Sequence, residues 1–167
     1  FVDNPLELAG ALLVQGQFAG LLKRYAEAND IVSESLDLAS KQSGVNSEGI
    51  SAAHSVLCWY AVLAGDFSAA LRHGEKAVSL IKDEAPCPAH MNLAHAYLYN
   101  GRFEEAKAIY SRYLGQSFET GSSWNDELRS DFKRLREEGR DHPDMKKIEA
   151  LLATGTAAVG SDGKRAN

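Results

Sequence analysis

The chain of 167 residues is 44% hydrophobic and 25% charged, with a formal net charge of −5, which suits one globular domain with a core of its own. That acidic balance argues against nucleic acid as a partner, because such binding rests on Lys and Arg neutralising phosphates. No apolar run approaches the ~18 residues of a membrane span, and two cysteines, Cys58 and Cys87, do not make a disulfide framework.

Taken in chain order, Asn4-Pro5-Leu6-Glu7 reads as a helix start: Asn4 can cap, Pro5 suits the first turn, and Glu7 can reach back to the cap. This first helix is expected to run to about Leu22. Gly10, Gly16 and Gly20 fall inside it. Each costs roughly 1 kcal/mol against Ala in an exposed helix, so a neighbouring helix is expected close by at these points. Lys23-Arg24 marks a turn, and Tyr25 to about Gln42 forms a second helix. Ser43 to Ser47 has no periodicity and reads as loop. A third helix is expected over about Glu48 to Ala64 and a fourth over about Phe67 to Asp83, before Pro86 and Pro88 break the chain. A fifth covers about Ala89 to Tyr99 and a sixth about Arg102 to Leu114, followed by loop from Gly115 to Ser122.

Ser123-Trp124-Asn125-Asp126 reads as a second capping box, with Ser123 as cap and Asp126 reaching back. Trp124, Leu128, Phe132 and Leu135 then form one apolar stripe on a highly charged helix, which Gly139 ends. Pro143 opens a last helix with Met145, Ile148, Leu151 and Leu152 on its apolar face. Gly155 to Asn167 is small and polar and is expected to be a flexible tail, leaving 1–154 as a single helical domain. The chain begins at Phe1 rather than Met, so a fragment or processed product is expected.

The stretch from Asn92 to Ala106 is a helix, a turn at Asn100-Gly101 and a second helix, with the small residues Ala94 and Ala106 where two helices must touch. The same pattern runs from Val56 through Gly65 to Ala70, and Gly65 and Gly101 are 36 residues apart. A helix-turn-helix unit recurring near that period is the signature of a helical solenoid. One such unit cannot bury its own apolar face, so units stack and their ends need caps.

These residues resemble the tetratricopeptide repeat family, and the segment Trp124 to Leu152, with Asp131-Phe132, Leu135-Arg136, Gly139 and His142-Pro143, resembles the tails of some bacterial repeat proteins. Leu93, Ala94, Tyr97, Phe103, Ala106 and Tyr110 match its pattern in one repeat; Leu57, Cys58, Ala61, Phe67, Ala70 and Ala77 match in another, with Gly74 in place of an aromatic. Gly16, Ala19, Tyr25, Ala28 and Ser35 fit a third, where Gln15 stands in place of Leu. Tyr113 replaces a closing small residue, and the terminal Pro of the pattern is missing throughout. The resemblance implies an all-α fold, a right-handed α-α superhelix of three helix pairs over about 9–42, 51–84 and 87–120. Two C-terminal capping helices would follow over about 124–138 and 143–154.

The resemblance further implies a non-catalytic scaffold, cytoplasmic and without cofactor, that binds a protein or peptide partner in a concave groove. Carried over residue by residue, Leu13, Gln17, Ser55, Trp59, Val62, Leu63, Met91, Asn92, His95 and Tyr99 line that groove. Trp59, His95 and Tyr99 are the anchor types, since large amphipathic side chains hold partners in pockets, and Asn92 can hold a peptide backbone. Leu13, Gln17, Val56, Pro88 and Asn92 stand where some members clamp a carboxylate terminus with cations. None of the five is a cation, so an apolar or helical partner segment is expected. The alternative, ahead of an enzymatic role as the third reading, is self-association: the chain belongs to a longer solenoid, with Phe1 to Pro5 continuing an earlier repeat. Its exposed end then forms a homodimer and its own tail fills the groove.

Other constellations point less far. Cys87 and His90 are three apart and can touch one metal ion, but no second Cys or His pair follows at a zinc spacing, and no metal site is assigned. Neither cysteine sits in a nucleophile signature. His54 and His73 read as helix-surface or inter-helix residues, and His142 as a turn residue. Gly10, Gly16 and Gly20 follow no strand and lack the Lys-Ser/Thr ending of a phosphate loop.

Overall fold

The computed structural model describes residues 4–42 and 47–159, with side chains described as far as Thr154. The described residues form eight α-helices and no strand: α1 (Pro5–Leu21), α2 (Tyr25–Ser40), α3 (Ser47–Ala64), α4 (Phe67–Ser79), α5 (Pro88–Tyr99), α6 (Phe103–Arg112), α7 (Trp124–Glu137) and α8 (Met145–Val159). The protein is all-α, and none of these helices is long and apolar enough to cross a membrane. The expected loop from Ser43 divides: residues 43–46 lie outside the described ones, and Ser47 opens α3.

Three turns of one construction join α1 to α2, α3 to α4 and α5 to α6. Lys23, Gly65 and Gly101 hold the left-handed conformation at φ 60°, 86° and 73°. The residues after them, Arg24, Asp66 and Arg102, donate their backbone N–H to the carbonyls of Ala19, Ala61 and Tyr97 at 3.0, 2.9 and 2.9 Å. Lys23, Gly65 and Gly101 themselves donate to Gly20, Val62 and Leu98. This is the double bond pattern that satisfies the last carbonyls of a helix, and glycine favours it because it has no Cβ to clash. Lys23 adopts the same shape without glycine and reaches Glu138 at 2.7 Å. Gly139 closes α7 in the same way, with Arg140 N–H on the Leu135 carbonyl.

Each of α1 to α6 packs on the next in sequence, and α3 also packs on α1 and α5. Side chains at the crossings are small: Ala28, Ala70, Ala77, Ala94 and Ala106 are fully buried. A Cβ on Gly74 would come within 3.1 Å of Cys58 Sγ and Leu93 Cδ1, which is why an aromatic has no room there. Buried hydroxyls tie the pairs where methyls do not: Ser35 donates to the Ala9 carbonyl at 2.6 Å and Ser51 to the Ala77 carbonyl at 2.9 Å. Such bonds remove the penalty of burying a polar group.

Several expectations need correction. α4 stops at Ser79 rather than near Asp83, because the chain must turn extended to enter Pro86 and Pro88. Gly16 and Gly20 meet Val32 and Tyr60 closely, but nothing lies within 4 Å of a Cβ on Gly10. Ser123 has the extended backbone of a cap without a side-chain cap bond; Asp126 pairs with Arg129 at 2.9 Å instead of reaching back. α8 begins at Met145, after the turn at Pro143, and continues to Val159, past the expected start of the tail at Gly155. The rest of that tail lies outside the described residues.

The last two helices do not act alike. α8 covers α6 and α7, with Met145, Ile148 and Leu152 buried and Lys147 Nζ 5.0 Å from the centre of the Phe103 ring. α7 instead runs back across the first helices of the pairs. Its stripe of Trp124, Leu128, Phe132 and Leu135 is fully buried. Along its length it meets Tyr113, then His95 and Tyr110, then Trp59, and at its end the turn after α1.

Candidate functional site

The face formed by α1, α3 and α5 carries the groove residues read from the sequence, and α7 lies over its middle. Val62, Leu63 and His95 are buried, at 0%, 2% and 0% exposure, so they act as core and not as contact surface, while Met91, at 2%, shows only an edge to the cleft described below. The reason is the apolar stripe of α7, which finds its cover on this face. His95 is held at both nitrogens: Nδ1 is 2.7 Å from Tyr110 Oη and Nε2 is 3.2 Å from Asp131 Oδ2. Burial pushes the Tyr110 hydroxyl well above its ordinary pKa, so it keeps its proton, and which of Tyr110 Oη and Nδ1 donates follows the tautomer of the ring. The tautomer with its hydrogen on Nε2 satisfies both contacts, donating to Asp131 and accepting from Tyr110 at Nδ1.

Tyr99 is likewise spent on structure. Its hydroxyl donates to the Arg140 carbonyl, and its ring stacks on Phe67 at 4.7 Å. Arg140 in turn donates from Nε and Nη2 to the carbonyls of Leu63 and Ala64 at 3.1 and 2.8 Å, sealing the end of α3. Arg134 reaches the Gly20 carbonyl at 3.1 Å and lies 5.8 Å from the Trp59 ring centre. Of the other positions, Ser55 is buried and Leu13 half-buried, while Gln17 is exposed. Asn92 gives both amide hydrogens to Ser55, at 3.0 Å to its carbonyl and 3.0 Å to its hydroxyl, so it retains a carbonyl oxygen as its polar offer.

Part of the face stays open. Between the first turns of α3 and α5, the segment 80–87, the turn at 115–123 and the near side of α7 lies a cleft of about 670 Å³. Trp59, Ile81, Met91 and Phe118 line it with apolar surface; Glu48, Asp83, Glu119, Glu127 and Asp131 line it with carboxyl groups, and among the described residues no Lys, Arg or His does. A second cavity of about 490 Å³ shares Glu48, Ile81, Asp83, Cys87 and Pro88 with it and extends toward Gln17, Ser51 and Val56. Trp59, Met91 and Asn92 are thus brought together at one cleft, joined by Gln17 and Ser55 at the adjoining one, while Val62, Leu63, His95 and Tyr99 are not. Sequence reasoning missed Phe118, Glu119, Glu127 and Asp131. They belong to segments far along the chain, and their charged pattern reads as a solvated helix face until α7 is laid over α5.

Cys87 sits where both cavities meet, with Sγ 3.1 Å from His90 Nδ1. Burial pushes the Cys87 thiol up, against the lowering effect of the backbone N–H groups at the start of α5, and burial also pushes His90 down. A thiol raised beside a base lowered holds its proton and is a poor nucleophile. Among the described residues no three His, Cys, Asp or Glu side chains are grouped to hold a metal ion. His54 and His73 face each other across α3 and α4, with Nδ1 atoms 2.9 Å apart.

No protein-family model, curated protein or solved structure matches this chain.

Proposed function

We propose that this chain is a protein-interaction module of the tetratricopeptide repeat kind. Its three helix pairs would stack as a right-handed superhelix and its partner segment would enter the open cleft beside Trp59. The turns at Lys23, Gly65 and Gly101, built alike, and the small residues at the crossings support the repeat reading. The observation that carries the binding reading is the cleft: about 670 Å³, apolar on its floor and of one sign in its charged groups. Pockets of this size and mixture take a small number of anchoring side chains. Because α7 already occupies the middle of the face, a whole partner helix has no room there. A short segment carrying Lys or Arg beside an apolar residue fits the lining instead, with the apolar group against Met91 and Phe118 and the cation among the carboxyl groups. The role proposed for the cleft is binding, and no catalytic step is assigned to it.

Selection of a random peptide library displayed on phage against the immobilised protein tests this. Enriched peptides should carry Lys or Arg next to apolar residues. Their affinity should fall by about tenfold or more in Glu127→Lys, an exposed position whose change reverses one charge of the rim. Enrichment of nothing, or of peptides that bind Glu127→Lys as well as the parent, would remove the cleft as the binding site.

A further inference from the structure

A chain of polar groups runs out of the core and ends in the cleft. Tyr110 on α6 and His95 on α5 are both fully buried, with the Tyr110 hydroxyl 2.7 Å from His95 Nδ1. His95 Nε2 lies 3.2 Å from Oδ2 of Asp131, and Asp131 lines the cleft. Buried polar groups are costly wherever a link is left unsatisfied. Here each link has its partner when the ring carries its hydrogen on Nε2, and that hydrogen then points at the Asp131 carboxyl group. The rings of Trp59, Tyr110 and Phe132 stand 5.6, 5.7 and 5.8 Å from that of His95 and hold the imidazole in this orientation.

Asp131 differs from the other acids of the cleft. Its side chain is 26% exposed, so most of it has left water, and its one ion-pair partner among the described residues is His95. Arg134, three residues on, gives its guanidinium to the Gly20 carbonyl at 3.1 Å and does not line the cleft. Glu127, one helical turn earlier on α7, is exposed. A carboxylate largely out of water and without a cation is costly until a cation arrives. It also keeps acceptor capacity: each oxygen can take two hydrogens, so with His95 on Oδ2 the whole of Oδ1 is left for a ligand. Trp59 reaches the same place from α3, beside His95, and supplies an aromatic surface to the cleft.

We infer that Asp131 is the specificity-determining residue of the cleft, that His95 and Tyr110 position it, and that the cation it takes is the guanidinium of an arginine side chain. This inference rests on the reading of the cleft as a peptide site and names the residue that site selects. A guanidinium is flat: it presents two parallel N–H groups to one carboxylate and lies against an aromatic face. A carboxylate whose angle is fixed by a donor from the core, next to an indole, matches both features. A lysine ammonium is a compact and strongly hydrated charge; it uses neither the fixed angle nor the aromatic face, and it gives up more water on entering.

Two synthetic peptides that differ in one residue test it, acetyl-Leu-Arg-Leu-amide and acetyl-Leu-Lys-Leu-amide. Each is titrated into the isotope-labelled whole chain while the indole N–H resonance of Trp59 is followed by NMR. The arginine peptide should move that resonance and bind more than about tenfold tighter than the lysine peptide. Asp131→Asn keeps an oxygen for His95, and Asp131→Glu keeps the charge but displaces it; in both, the two peptides should bind within about twofold of each other. Tyr110→Phe removes only the hydroxyl that sets the His95 tautomer and should lower the arginine preference several-fold. Circular dichroism checks that each variant is folded. Equal binding of the two peptides by the parent, or an unchanged preference in either Asp131 variant, overturns the inference and leaves the cleft as a less selective cation site. Failure of the parent to bind either peptide removes the reading of the cleft and the inference with it.

Discussion

Replacing Phe132 by Ala should separate a helix that merely lies on the face of α1, α3 and α5 from one that is part of the core. Phe132 is fully buried, 5.8 Å from the His95 ring and edge-on to Tyr110 at 5.9 Å. Its neighbours come from α5, α6 and α7, so a cavity left there cannot close by moving one loop. Truncations of this kind cost about 3–5 kcal/mol, towards the upper end where the site cannot collapse. Against a total stability of about 5–15 kcal/mol for a domain, a loss of about 4 kcal/mol leaves a marginal fold and lowers the melting temperature by roughly 8–16 °C at this chain length. Urea unfolding followed by far-ultraviolet circular dichroism measures it, with an unchanged slope confirming that the same surface unfolds. Lys133→Ala, one residue along on the exposed side and paired with Glu137 only at 3.9 Å, should stay within about 0.5 kcal/mol of the parent. A loss below about 1 kcal/mol for Phe132→Ala would refute the packing of α7 onto the face of α1, α3 and α5, and with it the explanation of why His95 and Leu63 are not contact residues.

Two further outcomes follow from buried positions. Ala106→Arg places an unpaired charge at a fully buried helix crossing and should cost more than about 4 kcal/mol; a melting temperature within a few degrees of the parent would show that the crossing is misplaced. Burial, then the neighbouring His73 and Lys76, hold the folded pKa of His54 down to about 4 from 6.5. The unfolded chain therefore takes up this proton first. Its contribution to stability is full above about pH 6.5 and is lost as the pH falls towards 4, and His73 shifts the same way. The drop in urea midpoint between about pH 7 and about pH 5 should be smaller in His54→Gln than in the parent; equal drops would rule His54 out as a source.

Much of the helical order was legible because its signals are local. The starts at Pro5, Phe67 and Trp124 and the stops at Gly65, Gly101 and Gly139 depend on backbone groups within a few residues, and each reads correctly from the chain. Lys23 was legible as a turn for the same reason, although its left-handed φ was not, since nothing local distinguishes it from a helical lysine. The apolar stripe of α7 was equally plain. What it would cover was not, because a stripe of Trp, Leu, Phe and Leu fits any apolar face of suitable width.

The candidate site therefore divides along the same line. The sequence by itself determined that the protein is all-α and where most of its helices turn, since these follow from periodicity and turn chemistry; that Trp59, Met91 and Asn92 share a face was implied only by the resemblance to the repeat family. The tertiary structure alone decided that α7 lies back over that face. That placement buries His95 between Tyr110 and Asp131, commits Tyr99 to Arg140, and leaves an acidic cleft made partly of residues from 118 to 131. The physical reason is that the hydrophobic effect rewards burial without naming a partner. Which of several apolar faces an amphipathic helix covers is settled by the contacts that accompany it, here Arg134 on Gly20, Arg140 on Leu63 and Lys23 on Glu138, all of them between residues distant in the chain.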